Sequence, residues 1–170
     1  MAIDLLVKSS FISNAEAVPP TIMSPKDGGA AVVRNVYGFI SAIAAALSAT
    51  SRCRLCRVPS NARIKEVIFR SGAQGGGTFD VGVYYPTNKN SGAVIDADLF
   101  GSGIAVTSAV KSTNVIDESA ELSIEEMAKP LWEAAGLSSD PQCMLDIVAT
   151  VATGITTGTA PISASVDYVV

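Results

Sequence analysis

Histidine is absent from this chain of 170 residues. Histidine is the commonest general base near neutral pH and the commonest metal ligand, so its absence excludes Ser-His-Asp and Cys-His nucleophilic sites. Carboxylate and lysine chemistry stay open, but no convergent set of polar motifs accompanies them in the sequence. We therefore expect a protein that is not an enzyme and that binds no cofactor and no metal.

Cysteine is scarce, and its three copies cannot close a complete set of disulfides. Reduced thiols fit synthesis in a bacterial cytoplasm. The pair Cys53-x-x-Cys56 resembles half of a zinc site, but only Cys143 is left to complete the four ligands. Residues three apart on a regular strand also point to opposite faces, so this pair is predicted not to bind one metal. We expect thiols of the core or of an interface.

Charged residues make up only 16% of the chain, against 48% hydrophobic residues. A monomer with so little charge exposes apolar surface, so we expect part of it to be buried against partners. The net charge of −4 argues against binding of nucleic acid. Asp4 interrupts the apolar start of the chain, which argues against a secretory signal. The longest uncharged stretch, residues 35–51, is too polar and too short to span a membrane.

The few charges are segregated along the chain. The second half is mostly acidic, with Asp96-x-Asp98 as its closest resemblance to a metal-binding carboxylate pair. Opposite charges separated in this way can pair between subunits, or they can simply cover solvated faces, and the sequence leaves both interpretations open. Half of the twelve basic residues lie within nineteen positions: Arg52, Arg54, Arg57, Arg63, Lys65 and Arg70.

The first 29 residues differ from the rest of the chain. Pro19, Pro20 and Pro25 bar a regular helix and favour extended backbone. The segment is either a poorly ordered terminus or an extended arm whose apolar start docks on a neighbouring surface, and we favour the arm. We divide the chain into an extended N-terminal arm, residues 1–29, and a β-sandwich domain, residues 30–170.

From residue 30 onward the pattern predicts short strands. Alternating apolar residues over 78–85 indicate one strand, and residues 143–151 and 162–170 are predicted to form a terminal hairpin. Residues 96–105 are predicted as a capped turn or loop, while residues 41–50 fit either a helical turn or a further strand. Six to eight short strands without a long helix predict an antiparallel β-sandwich, most simply a jelly roll.

One short helical insertion interrupts the strands. Ser123 and Glu126 have the spacing of a capping box, and Gly136 has the position of a helix-ending glycine. Trp132, the single tryptophan, lies between them. It is either an exposed anchor at an interface, where tryptophan is enriched, or part of a plug at the open end of the sandwich, and we favour the plug.

Several patches in order along residues 30–170 resemble a family of small virion proteins, the decoration or cement proteins on the heads of tailed bacteriophages. The patches are VVRNVYGFI, CRLCRVPSNARIKEVIF, TFDVGVYYP, GAVIDADLF, KPLWEAAGLSSDP and ASVDYV. The resemblance implies a β-sandwich subunit, commonly a homotrimer, on the outside of the capsid. It implies no catalytic residues.

From this resemblance we expect synthesis in the host cytoplasm, assembly into the virion and binding to the major capsid protein. The alternative is a receptor- or carbohydrate-binding module of a phage fibre or tail, for which Tyr84, Tyr85 and residues 88–90 are the candidates. The residues expected at a capsid or subunit interface are Ile3, Leu5, Val7, Arg52, Arg54, Arg57 and Trp132.

Overall fold

The computed structural model divides the chain into two compact units, residues 33–169 and residues 1–32 with Val170. Ile3, Leu5 and Val7 of the predicted arm lie outside the described residues. The residues that the structure describes are 17–19, 32–42, 46–116, 122–123, 125–156 and 160–170.

The described part of residues 33–169 contains eight strands, two short 3₁₀ turns and one short helix, α1. No helix among these residues is long and apolar enough to cross a bilayer. The bounds are β1 Val33–Ile40, β2 Arg52–Pro59, β3 Arg63–Ser71, β4 Thr78–Tyr84, 3₁₀ Asn90–Gly92, β5 Val94–Ala105, β6 Val110–Asn114, 3₁₀ Glu126–Ala128, α1 Leu131–Ala134, β7 Met144–Thr153 and β8 Ile162–Val169.

The strands form two four-stranded antiparallel sheets, in the orders β1-β8-β3-β6 and β2-β7-β4-β5. The pairings are nested: β1 with β8, β2 with β7, β3 with β6 and β4 with β5. This is one long antiparallel hairpin rolled up into two layers, which is the topology of a jelly roll. The predicted fold class is confirmed.

The core lies between the two sheets and follows the alternation of the sequence. Phe69 of one sheet meets Phe79 of the other edge to face, with ring centroids 5.8 Å apart. Burying one such side chain contributes about 1.5–3 kcal/mol. Leu145, Ile147, Ala149 and Val151 of β7 and Ile162, Ala164 and Val166 of β8 are all buried there.

The predicted terminal hairpin is wrong. Although β7 and β8 are consecutive, β7 pairs with β2 and β4 in one sheet and β8 pairs with β1 and β3 in the other. Each strand contributes its apolar face to the same core from opposite sides. Alternation in a sequence identifies the buried face of a strand but does not identify its hydrogen-bonded neighbour.

The predicted turn or loop at residues 96–105 is also wrong, because these residues lie within β5. Pairing of β5 with β4 is interrupted by repeated register shifts, and these bulges obscure the alternation in the sequence. At Gly82 the backbone of Asp96 comes so close that an added Cβ would lie 2.2 Å from its carbonyl oxygen. Of residues 41–50, Leu47 forms an isolated bridge with Ile155.

The capping box is confirmed: Glu126 N–H donates to Ser123 Oγ, and Ser123 N–H donates to Glu126 Oε2. These bonds lower the pKa of Glu126. The turn it opens is 3₁₀, and α1 follows with buried Leu131. The N–H of Leu131 donates to the Ala62 carbonyl at 2.7 Å and thereby ties α1 to the β2–β3 turn.

Strands β1 and β2, from different sheets, meet closely at one lateral edge of the sandwich. A Cβ on Gly38 would lie 1.8 Å from the Leu55 carbonyl oxygen, which is backbone and cannot swing away. The absence of a side chain at Gly38 is therefore what lets the two strands approach.

We predict that Gly38→Ala lowers the free energy of unfolding by about 1–3 kcal/mol, because the methyl group must push β1 away from β2. Gly154→Ala is the matched control, since its added Cβ would lie 3.5 Å from the Leu47 carbonyl oxygen, an ordinary contact. Urea denaturation of both variants measures the difference. Equal stability of the two variants would contradict the close approach.

Candidate interaction surface

The arginines of β2 are placed by a one-residue bulge. Between Arg54 and Cys56 the register against β7 shifts, so that Leu55 is the extra residue. In a regular strand Arg54 and Arg57 would point to opposite faces. The bulge brings both to the outer face of the sheet, where Asp146 of β7 lies opposite Arg57.

Asp146 is 3% exposed and binds both guanidinium groups. Arg54 Nη1 donates to Asp146 Oδ2 at 2.7 Å, and Arg57 donates from Nε to Oδ1 and from Nη2 to Oδ2. Burial by itself raises the pKa of Asp146, but the hydrogen bonds and charges of the two arginines outweigh it and hold the pKa below its ordinary value. Two of the predicted interface arginines therefore have an internal partner.

Arg52 and Arg54 also cover an aromatic ring. Their guanidinium carbons lie 5.0 and 5.9 Å from the ring centroid of Tyr84, within the range of a cation–π contact. The Tyr84 hydroxyl is 2.7 Å from Thr150 Oγ1. Because Tyr84 is only 2% exposed, it cannot be a stacking platform for a sugar, and that candidate is wrong. Tyr85 packs against the core, so it is not an exposed platform either.

Arg54 additionally fixes the loop that follows β4. Its Nη1 donates to the Tyr85 carbonyl at 2.9 Å and its Nη2 to the Gly92 carbonyl at 3.0 Å. Gly92 has φ +68°, and an added Cβ would lie 2.3 Å from Arg54 Nη2. Arg54 therefore links three parts of the chain, which is a structural role.

The β2 bulge changes the interpretation of the cysteine pair as well. Cys53 and Cys56 both lie on the core face, so the expectation of opposite faces is wrong. Burial raises the pKa of both thiols, that of Cys56 to about 12 with the help of the Asp146 charge. Thiols held protonated in this way are poor metal ligands and poor nucleophiles.

The acidic pair Asp96 and Asp98 lies within β5. The Asp98 N–H donates to Asp96 Oδ1 at 3.2 Å, and burial raises the pKa of Asp96. No group of three metal-ligating side chains occurs among the described residues. The pair thus makes a local hydrogen bond within the bulged strand.

The outer face of β1 carries an apolar stripe that the sequence analysis did not single out. Val33, Tyr37 and Phe39 are 58%, 57% and 64% exposed. The Tyr37 and Phe39 rings are stacked, with centroids 6.1 Å apart and planes inclined by 27°. The two-residue spacing was visible in VVRNVYGFI, but only the sheet order shows that this face is turned away from the core.

Beside the stripe runs an open groove of about 260 Å³. Ser163 of β8 forms its floor. Because the serine side chain is small, the Tyr37 and Phe39 side chains project beyond it and form one wall of the groove. Opposite the aromatic wall lie Arg70 and Val110. The groove thus combines an aromatic side, a hydroxyl floor and a positive charge.

Trp132 of α1 is half exposed, while its neighbours Met127 and Ala134 pack against the core. Its N–H donates to the Ser60 carbonyl at 3.0 Å. Leu131 and Ala135, not Trp132, provide the buried side chains of this insertion. The tryptophan side chain therefore remains partly available to a partner.

No protein-family model and no curated protein matches the sequence. A chain of the solved cyanophage Pam1 capsid asymmetric unit is similar in structure, with a TM-score of 0.53 and 15% sequence identity. The similarity covers 91% of this chain and 96% of that chain. At this identity the comparison concerns the fold, and the two folds agree over almost their full lengths.

We predict that Asp146→Asn lowers the free energy of unfolding by about 2–4 kcal/mol, since two guanidinium groups then face a neutral partner. Asp167→Asn is the control, because Asp167 accepts its hydrogen bond from the neutral side chain of exposed Asn35. Chemical denaturation of both variants at neutral pH measures the difference. If Asp146→Asn and the control lower the free energy of unfolding equally, the cluster of Asp146, Arg54 and Arg57 has no stabilising role of its own.

The lowered pKa of Asp146 predicts that the stability of the fold depends on pH. A carboxyl group whose pKa is lowered by folding stabilises the native state above its unfolded pKa of about 3.9. That contribution is lost as the pH falls through the folded pKa. The stability difference between wild type and Asp146→Asn should therefore be constant above about pH 5 and shrink below about pH 4. A difference that stays constant down to pH 2 would rule out the linkage.

Proposed function

We propose that this protein is a virion structural protein that decorates the outside of a tailed-phage head and stabilises the lattice of the major capsid protein. The observation that carries the proposal is the near full-length agreement with a chain of a capsid asymmetric unit. That chain is of similar extent and belongs to a capsid asymmetric unit. We further propose that the protein acts as a homotrimer, without catalysis, cofactor or nucleic acid.

The surface of the molecule supports a binding role. An exposed apolar stripe on β1 and a low content of charge are typical of a protein that buries surface against partners. The inward-facing thiols and the internally paired arginines offer no reactive group on the β2 edge. Stabilisation by binding needs no such group.

The mechanism is mass action. A protein that binds the assembled, expanded lattice better than it binds free capsid subunits shifts the equilibrium toward the assembled state. Each copy needs only a modest interface, because many copies act on one shell. The shell then resists the pressure of the packaged DNA.

The direct test adds the purified protein to heads that lack it. We expect saturable cosedimentation with expanded heads, little binding to unexpanded ones, and a higher temperature of head disruption once the sites are filled. Absence of binding to both kinds of head would refute the proposal. Binding confined to tails or fibres would favour the receptor-binding alternative.

The predicted arm gives a second test. Deleting residues 2–20 should leave the melting temperature of the domain unchanged, because the compact unit spans residues 33–169. We expect occupancy on heads to fall at least about tenfold, since Ile3, Leu5 and Val7 are removed. Unchanged occupancy would exclude the arm from capsid binding and restrict the interface to the sandwich.

A further inference from the structure

The stripe formed by Val33, Tyr37 and Phe39 has more basic than acidic side chains beside it. Toward β2, Tyr37 lines a second groove together with Arg54 and Arg57. Arg70 lines the groove beside the stripe. Asp146 offsets one of these three positive charges, and Asp167, which accepts a hydrogen bond from Asn35 of β1, offsets a second. An acidic surface that also carries an apolar side chain is therefore the matching partner.

The same chain carries such a surface on its helical insertion, defined here as residues 125–137. Glu125 and Glu133 are exposed, and the half-exposed Trp132 lies between them in sequence. Within the insertion the three acidic residues Glu125, Glu126 and Glu133 outnumber the one basic residue, Lys129. The insertion is thus acidic and carries an aromatic side chain, whereas the β1 stripe is aromatic and lies beside basic side chains.

The aromatic end of the stripe and the insertion lie at opposite ends of the β1-β8-β3-β6 sheet. Phe39 and Arg70 both pair with Ser163 of β8 at one end. Arg63 pairs with Val169 at the other end, next to the β2–β3 turn whose carbonyls hold α1. Within one copy they are therefore too far apart to bind each other.

We propose that the β1 stripe of one copy binds the helical insertion of a second copy, head to tail. Trp132 packs against the Tyr37–Phe39 pair, and Glu133 faces Arg70. Head-to-tail contacts close into rings when the rotation permits. This inference rests on the proposed function, of which self-association is one part.

The first experiment measures the self-association of the full chain by sedimentation equilibrium. Tyr37→Ser with Phe39→Ser, and separately Trp132→Ala, should each weaken association at least about tenfold. The matched control is Val94→Ser, which removes an exposed apolar side chain elsewhere on the surface. It should leave association unchanged. A monomeric wild type, or an equal loss in the control, would overturn the inference.

The second experiment separates a head-to-tail contact from a two-fold one. The Tyr37/Phe39 variant keeps an intact insertion and the Trp132 variant keeps an intact stripe, so an equimolar mixture should form one-to-one dimers. Arg70→Glu should weaken association, and mixing it with Glu133→Arg should restore it. A mixture that stays monomeric would contradict the head-to-tail contact.

The outcomes also distinguish this inference from the proposed function. A wild type that is monomeric in solution but binds expanded heads would refute the self-contact and leave the decoration role standing. A wild type that associates through these residues but binds no head would do the opposite.

Discussion

The extra residue in β2 determines the face of every side chain around it. Because of this bulge, both cysteines join the core while Arg54 and Arg57 converge on Asp146. A regular strand would leave a buried carboxylate with half of its partners, at a large cost. The bulged residue also presents the carbonyl that lies against Gly38, so it helps to join the two sheets along the β1–β2 edge.

Once that cluster is formed, the β2 arginines are largely committed to the fold. Their charges hold Asp146, cover Tyr84 and fix the loop after β4. The part of this edge left for a partner is the outer face of β1. The stripe is stable in its exposed position because β1 is paired with β8 along its full length. Rigid presentation of aromatic rings reduces the entropy lost on binding.

The sequence predicts the layers of this fold better than its connections. Alternation in β4, β7 and β8 marks the core face correctly, and the capping box marks the insertion. The sequence does not predict the bulge in β2 that reverses the faces of Cys56 and Arg57, because a bulge depends on the partner strand. The sheet neighbours of β7 and β8, and the exposure of Tyr37 and Phe39, likewise follow from long-range pairing. Ile3, Leu5 and Val7 stay a prediction.

A decoration role requires that the protein lie on the outside of the head and be present in many copies. Reconstruction of the mature particle, with quantification of this chain by mass spectrometry, measures both. We predict density for the jelly roll on the outer surface of the head, in copies on the order of hundreds, as a lattice protein requires. About a dozen copies or fewer, located at a tail or fibre, would contradict a decoration role.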